Sequence, residues 1–438
     1  MEVALFTSTS LAMRALLLPL LIVLGPLGGR ALADPQPVSD GPNVNTRLEA
    51  LEAEVKHLRE ALQAATREEA DPEHEPEHRH SSHDEDADEH LDERPTFAVD
   101  LELTFTLSTA LAWFSVDEPL QTGEHDPHQT GFNFQQLEMR VAGGMDGVMR
   151  LDAAVVFGDH GVEIEEAYAT TLGIPFGLQL RAGKMLHRFG RINRRHPHAW
   201  DFVDQTLMVG KFMGPESGRG LALELSWTAP TPWHLVLVVS GAEATDECCA
   251  RSFYGDDGSP FQDPRDALIT AAIEQAAELG PDWRFEWGLS VQSGPNASGP
   301  DRRTEIYGTD VMLRWRPRAG DGAQALTLQA EYAHRRRNTP TRPLADHALY
   351  AQLVYQHDAH WQFGGRYEWV SGLADDPLDP EWVTGRHRAS LQASYRPSHF
   401  AQLRLQGNAD VPRWLDEPVF GVMLALEVQV GTHGEHGH

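Results

Sequence analysis

The stretch Trp283-Arg-Phe-Glu-Trp-Gly-Leu-Ser-Val291 alternates large apolar side chains with polar or small ones. Successive side chains of a β-strand point to opposite sides, so Trp283, Phe285 and Trp287 share one face while Arg284 lies on the other. One face is therefore apolar and the other is polar. A tilted strand of about ten residues is long enough to cross a bilayer, and the stretch predicts a transmembrane strand of a β-barrel.

The same period of two continues on both sides of this stretch, from residue 97 to residue 430. It predicts an all-β fold, a transmembrane antiparallel β-barrel of about 16 strands at 96–431, since barrels of single bacterial chains have an even strand number. The weakest segment is 266–277, because its alanine-rich run also suits a helix. The strands are expected at 97–114, 132–143, 148–157, 162–172, 176–186, 219–228, 233–241, 266–277, 283–292, 305–316, 325–334, 347–357, 360–370, 386–396, 399–408 and 418–430.

A soluble β-sandwich is the alternative architecture for this pattern. The core of a sandwich is built by the inner faces of two sheets, and it would be rich in Val, Ile and Leu. The apolar faces here instead carry aromatic residues near the strand ends, among them Trp113, Trp227, Trp361 and Tyr395. Aromatic girdles at both membrane interfaces are typical of barrels, so the barrel is the favoured prediction.

Residues 1–33 have the pattern of a secretory signal peptide. Arg14 precedes an apolar run at 15–27, and Ala31-Leu32-Ala33 offers small residues for cleavage. The apolar run is too short for a comfortable membrane span, which needs about 20 apolar residues. The expected location of the mature chain is the cell outer membrane.

The segment 34–70 is expected to hold a short coiled-coil helix in the periplasm. Its apolar residues follow one another in alternating steps of three and four, as the seam of a coiled coil requires. This pattern predicts a homo-oligomer, with a trimer favoured, whereas the alternative is a lone amphipathic helix lying on the barrel. The seam is formed by Leu48, Leu51, Val55, Leu58 and Leu62.

Two histidine-rich tracts have almost no apolar surface. The first, at 71–95, mixes histidine with carboxylates and is expected to be a disordered linker, and the second is the tail 432–438. An even strand number puts both chain ends on the side of the short turns, so both tracts are expected in the periplasm. They are candidates for weak Zn²⁺ capture, although a solvated acidic linker is the alternative. The candidate ligands are His74, His78, His80, His83, His90, His433, His436 and His438.

The charge balance narrows the range of partners. The 438 residues include 36 Lys and Arg against 65 Asp and Glu, a formal net charge of −29, which disfavours nucleic acid as a partner.

The two cysteines, Cys248 and Cys249, are adjacent and cannot build a disulfide framework. Nucleophile elbows and Walker sequences are absent, so we expect no enzyme, and no cofactor beyond weakly bound Zn²⁺.

The polar faces of the strands carry both positive and negative charges, as in a water-filled channel. The connection 188–219 is rich in Arg, His and aromatic residues, and it is expected either to bend inward as a constriction or to cap the barrel from outside. Within it, His196 and His198 are candidate Zn²⁺ ligands together with Asp201 and Asp204, although a structural role is the alternative. The predicted pore-lining residues are Arg140, Arg150, Arg181, Glu138, Glu165, Arg284, Glu286, Arg314, Arg366 and Glu368.

Four short motifs carry a resemblance to a known family: Glu165-Glu-Ala-Tyr-Ala169, Leu180-Arg-Ala-Gly-Lys184, Arg188-Phe-Gly-Arg-Ile-Asn193 and His196-Pro-His-Ala-Trp-Asp-Phe-Val-Asp204. They resemble bacterial outer-membrane barrels labelled zinc-regulated TonB-dependent outer membrane receptors, and more remotely the phosphate-selective porins. The resemblance is specific over about 134–227 and extends to the rest of the barrel only as a pattern. It implies an outer-membrane transport role tied to zinc supply. No plug domain or energy-coupling box is recognisable, so a plug-less, porin-like form is expected.

The function predicted from these features is a porin-like channel for passive uptake of small solutes, with zinc and other divalent metal ions as candidate solutes. The expected partners are outer membrane lipid, further copies of the chain and a periplasmic zinc-binding protein. The alternative function is an outer-membrane-anchored metal-binding or tethering protein that engages a periplasmic partner.

Overall fold

The computed structural model of the 438-residue chain describes residues 99–145, 147–159, 161–245, 249–254, 263–318, 323–374, 376, 378–379 and 382–431. The predicted signal peptide, the coiled-coil helix with its seam residues, and both histidine-rich tracts with their candidate ligands lie outside the described residues. They stay predictions.

Within the described residues, sixteen antiparallel strands form a closed barrel, in which β1 also pairs with β16. The predicted fold class is therefore confirmed, and the ambiguous segment 266–277 is a strand, β8, from residue 268 onward. Short elements lie in the connections: the helix α1 at Leu207–Phe212 and 3-10 turns at Ile192–Arg194, Pro197–Ala199 and Pro264–Asp266. The strands are β1 Val99–Phe114, β2 Gly131–Met145, β3 Met149–Gly158, β4 Gly161–Thr171, β5 Leu178–Leu186, β6 Arg219–Thr228, β7 His234–Ala242, β8 Leu268–Glu278, β9 Trp283–Pro295, β10 Arg303–Trp315, β11 Ala325–Asn338, β12 Pro343–Gln356, β13 Trp361–Val370, β14 Arg386–Ser398, β15 Ala401–Pro412 and β16 Val419–Gly431.

The barrel wall is apolar outside and polar inside. In β1, Thr106 is 2% exposed whereas its neighbour Leu107 is 37% exposed, because successive side chains face opposite sides of the wall. Large apolar side chains are exposed in the same way on many strands, such as Leu223 in β6 and Leu424 in β16. This inverted polarity is the pattern of a barrel with lipid outside it. No helix among the described residues has the length and apolar character needed to cross a membrane.

One predicted connection is much shorter than expected. The segment 335–346 was expected to be a loop, but β11 continues to Asn338 and β12 begins at Pro343. Here Arg335 faces inward and is buried, while Arg336 is exposed on the outer face. Both faces of the strand are charged, so the alternation of hydropathy disappears although the strand continues.

The connection between β5 and β6 folds into the barrel. We call residues 187–218 the inward segment. Phe189, Leu207 and Phe212 of this segment are at most 2% exposed, and they belong to the apolar cluster that fills the lumen. Helix α1 contacts β12 and β13 on the far side of the barrel. The segment therefore brings its polar side chains against many strands of the wall.

Candidate functional site in the barrel lumen

Arginines fasten the first half of the inward segment to the wall. The Arg188 side chain donates to both carboxylate oxygens of Glu274, at 3.0 and 2.7 Å. Arg191 donates to Asp310 at 3.1 Å, and its backbone N–H donates to Glu331 at 3.0 Å. These contacts join the segment to strands β8, β10 and β11.

Asp204 fastens the second half of the segment and has no exposed surface. It accepts from Arg388 at 2.8 Å and pairs with Arg366. Two neutral amides, those of Gln406 and Asn408, donate to it at 2.6 and 2.7 Å. Burial alone would raise the pKa of Asp204, but the two guanidinium groups hold it below its usual value.

The inward segment reaches across the lumen to the opposite wall. Leu207 N–H donates to Glu368 at 2.6 Å, and Lys211 pairs with Asp346 at 2.9 Å. The prediction that the connection bends inward is confirmed by these contacts, and the external cap is wrong. Electrostatics favours the inward fold, because buried charged residues of the wall pair with several charged side chains of the segment.

All ten predicted pore-lining residues lie on the inner face. The strand registers place nine of them there, and Glu165, which has no register partner, contacts His196 in the lumen. The inward segment changes the surroundings of several of them. Glu138, Glu165, Arg366 and Glu368 are at most 5% exposed, so they do not border open water as the prediction required. Each of them instead contacts the inward segment. The partly exposed members are Arg140, Arg150, Arg181, Arg284, Glu286 and Arg314.

A β-bulge in β4 aims two consecutive glutamates into the lumen. Ala154 of β3 pairs with Glu166, and the next residue, Val155, pairs with Ile164, so Glu165 is the extra residue of the bulge. Without the bulge, Glu165 and Glu166 would lie on opposite faces. Both are buried and both bond to the inward segment. Strict alternation predicts only one of them inside, which is why Glu166 is missing from the predicted site.

His196 lies between these carboxylates. Its Nε2 atom is 2.7 Å from Glu166 Oε2, and its Nδ1 atom is 3.1 Å from Glu165 Oε2 and 3.6 Å from Glu138 Oε2. His198 stacks on His196 with ring centroids 5.8 Å apart and also contacts Glu138, at 3.1 Å. Burial lowers the pKa of His196, but the carboxylates outweigh burial and raise it to about 10.

The predicted oxygen ligands do not join these histidines. Asp201 accepts from the amides of Gln352 and Gln362, at 3.0 and 2.8 Å, and Asp204 belongs to the arginine cluster described above. Pairing Asp201 and Asp204 with His196 and His198 as one ligand set is therefore wrong. Oxygen atoms near the imidazoles come from strands β2 and β4 instead, which proximity along the chain cannot predict.

Two neighbouring cavities lead to His196 from the end of the barrel with the longer connections. The larger one, the outer cavity, has a volume of about 480 Å³. The smaller one, of about 20 Å³, is bordered by His196, Glu165 and Glu166 and has room for a single water molecule. His125, Asp126 and Glu216 border both cavities. The described residues around the outer cavity include no Lys or Arg, and its carboxylates are Glu124, Asp126, Asp159, Glu163 and Glu216.

His187, at the start of the inward segment, gives a testable pH dependence. It is 2% exposed, and within the described part of the chain neither ring nitrogen has a hydrogen-bond partner. Burial lowers the pKa of His187 to about 4 from 6.5. The unfolded chain therefore binds the proton first, and the folded state loses stability as pH falls from 6.5 to 4, by about 3 kcal/mol in all.

The expected result is that His187→Leu unfolds with a weaker dependence on pH over this window, measured by urea titration in detergent micelles at pH 7 and pH 4.5. Equal loss of stability on acidification in the wild type and the variant would contradict the assignment.

The comparisons with known proteins agree with the barrel. No family model matches the chain. An uncharacterized protein of Aquifex aeolicus (strain VF5) is 29% identical over 313 residues, which cover 63% of this chain and 63% of that protein. The chain therefore spans less than two thirds of the length of the curated relative it matches.

Among solved structures, the chain is similar to OprB of Pseudomonas putida in its high-pH structure (TM-score 0.51, 11% identity, 76% of this chain and 94% of that one). It is also similar to the outer membrane channel DcaP of Acinetobacter baumannii (TM-score 0.51, 13% identity, 76% and 97%). A third similar structure is an anion-selective porin from Comamonas acidovorans (TM-score 0.50, 11% identity, 76% and 100%). These neighbours support a porin-like fold and give no support to the label of a TonB-dependent receptor.

Proposed function

We propose that the chain is a porin-like channel of the outer membrane for passive uptake of small solutes. The observation that carries the proposal is the closed barrel with an apolar outer face and a charged inner face. A wall of this kind is stable in lipid and encloses polar surface for a water-soluble solute. The inward segment occupies much of the lumen, so the solutes that pass are small.

The favoured solutes are cations, which include divalent metal ions such as zinc. The outer cavity is bordered by five carboxylates and by His125 and His128. Arg219 pairs with two of these carboxylates, Glu163 and Glu216, but no Lys or Arg is among the described residues that border the cavity. Such a mouth concentrates cations and repels anions. The formal net charge of −29 acts in the same direction over longer distances.

Asp159 tests this preference because it is exposed and borders the outer cavity. Asp159→Asn should lower the ratio of cation to anion permeability about fivefold at low salt, since a unit charge acting across about 8 Å of water attracts a cation by about 0.5 kcal/mol and repels an anion by as much. The effect should vanish in 1 M salt, where the Debye length is about 3 Å. Reversal potentials across planar bilayers measure the ratio.

Glu417→Gln is the matched control. Glu417 is exposed in the connection between β15 and β16 at the same end of the barrel, and it does not border the outer cavity. Its removal should leave the reversal potential unchanged. Equal shifts in both variants would mean that the outer cavity is not the entrance.

The second candidate function is a tether, favoured by the histidine-rich composition of 71–95 and 432–438. In this form the barrel is an anchor, the coiled coil assembles several copies in the periplasm, and the tracts hold Zn²⁺ for a periplasmic partner. Deleting 71–94 should then lower zinc retention without changing conductance. Open conductance steps of the wild type in planar bilayers favour the channel, whereas a silent barrel that retains zinc favours the tether.

A further inference from the structure

We infer that the barrel lumen holds a binding site for a divalent metal ion of the zinc class, formed by Nδ1 of His196 and one carboxylate oxygen each of Glu138 and Glu165. The inference deepens the proposed function, on which it rests for the route by which the ion arrives. The site joins the inward segment to strands β2 and β4, so an ion bound there is also a link between the segment and the wall.

The distances between the ligand atoms fit a tetrahedral ion. Ligand bonds of about 2.1 Å separate the ligand atoms of a tetrahedron by about 3.4 Å. Nδ1 of His196 lies 3.1 Å from Glu165 Oε2 and 3.6 Å from Glu138 Oε2. One ligand atom of each residue lies within 4.8 Å of the other two. The three groups can therefore close on one ion without movement of the backbone.

Glu166 fixes the imidazole of His196 in the orientation that the site needs. A metal-bound histidine usually donates its second ring N–H to a carboxylate, which sets the tautomer and the angle of the ring. Nε2 of His196 lies 2.7 Å from Glu166 Oε2, so Nδ1 is the nitrogen left for the ion, which displaces the proton that Nδ1 otherwise carries. The bulge at Glu165 makes this possible, because it turns a ligand and a positioning residue inward from adjacent positions.

Glu138 provides an independent sign of an additional group at this place. The residue has no exposed surface, and its Oε1 atom has no hydrogen-bond partner among the described residues. A buried carboxylate oxygen without a partner is costly, and an ion beside it removes that cost. Arg140 Nε lies 3.8 Å from this oxygen, beyond hydrogen-bonding distance.

The fourth position of the ion is open to water. The small cavity of about 20 Å³ lies beside His196 and Glu165 and has the size of one water molecule. Three protein ligands and one exchangeable position are typical of zinc sites that react or exchange, whereas structural sites have four protein ligands. Arg195 and Arg219 also border the small cavity, and Arg219 pairs with Glu165 through Oε1, the oxygen that does not face His196. The small cavity shares His125, Asp126 and Glu216 with the outer cavity, which gives the ion an entrance.

The experiment titrates the full chain in detergent with Zn²⁺ by calorimetry, and with Co²⁺ by visible absorption, because tetrahedral Co²⁺ absorbs far more strongly than octahedral Co²⁺. His196→Ala and Glu138→Gln should each lose one binding site and the tetrahedral Co²⁺ spectrum, while weak binding by the histidine-rich tracts persists. Glu166→Gln retains a hydrogen bond to His196, so the site should persist with affinity lowered about 10–100-fold.

His360→Ala is the matched control, since His360 is exposed in the connection between β12 and β13, at the end of the barrel away from the outer cavity, where it bonds to the Arg396 carbonyl at 2.8 Å. It should bind as the wild type does. Unchanged stoichiometry and Co²⁺ spectrum in Glu138→Gln, which preserves the shape of the side chain, would overturn the site even where His196→Ala fails to fold. If the wild type shows no conductance but gives the tetrahedral Co²⁺ spectrum, the proposed channel function is wrong and the metal site is not. If the wild type conducts but does not give that spectrum, only the metal site is wrong.

Discussion

Replacing the inward segment 187–218 by an Asn-Gly turn should raise the single-channel conductance several-fold and admit larger solutes. Leu186 and Arg219 are paired at the ends of β5 and β6, so a two-residue hairpin can join them without moving either strand. The deletion removes the apolar cluster from the lumen and leaves charged wall residues facing water. A sixteen-stranded barrel without such a filling encloses an aqueous channel. Planar-bilayer recordings and liposome swelling with sugars of increasing size measure the change.

An equivalent shortening elsewhere serves as the control. Residues 296–302 join β9 to β10, whose ends pair as Pro295 with Arg303. Replacing these residues by the same turn should leave the conductance at the wild-type value. A change in electrophoretic mobility on heating shows that each variant still forms a barrel. If the folded deletion variant conducts no better than the wild type, the inward segment does not limit the path.

Asp204→Ala should destabilise the folded chain by about 3–5 kcal/mol, because it leaves two buried guanidinium groups without their shared partner. Arg366 and Arg388 both pair with Asp204, and neither has more than 5% of its surface exposed. Removing one member of a buried charge cluster costs the desolvation of the charges that remain. Urea titration in detergent micelles, followed by tryptophan fluorescence, measures the loss.

Asp201→Ala is the matched comparison within the same segment. Asp201 accepts from two neutral amides, those of Gln352 and Gln362. Its loss should cost only about 1 kcal/mol, the usual net contribution of hydrogen bonds of this kind. Similar losses in the two variants would mean that the buried charges are hydrated in the lumen and that the cluster does not hold the segment.

The wall of the barrel follows from the sequence because its physics is local. Hydropathy alternates with a period of two wherever one face of a strand contacts lipid, as in Trp283–Pro295. Even the alanine-rich segment β8 is a strand. The prediction loses accuracy beyond the apolar band. There β11 continues through Arg335 and Arg336, whose charges erase the alternation although the backbone pairing persists.

The lumen could be predicted only in part. His196 and Glu165 are recognisable as candidates from their chemistry. Their pairing is not, because the two residues are 31 positions apart and meet only when the inward segment folds back onto β4. Glu166 is a harder case, since a single extra residue in the strand reverses its face. Their closeness in the sequence therefore suggests that His196 and Asp201 belong to one site, whereas in the fold they have different partners.

The pairing of Leu186 with Arg219 has a further consequence for how such proteins diverge. The ring of backbone hydrogen bonds closes without help from the residues inserted between these two positions. Mutations that lengthen, trim or rewrite the insert therefore keep the strand pairing, even where a change such as Asp204→Ala lowers stability, while they alter which solutes the barrel admits. Descendants of one ancestral scaffold can acquire new cargo through this single hairpin, which makes it the natural position for transplanting selectivity from one barrel to another.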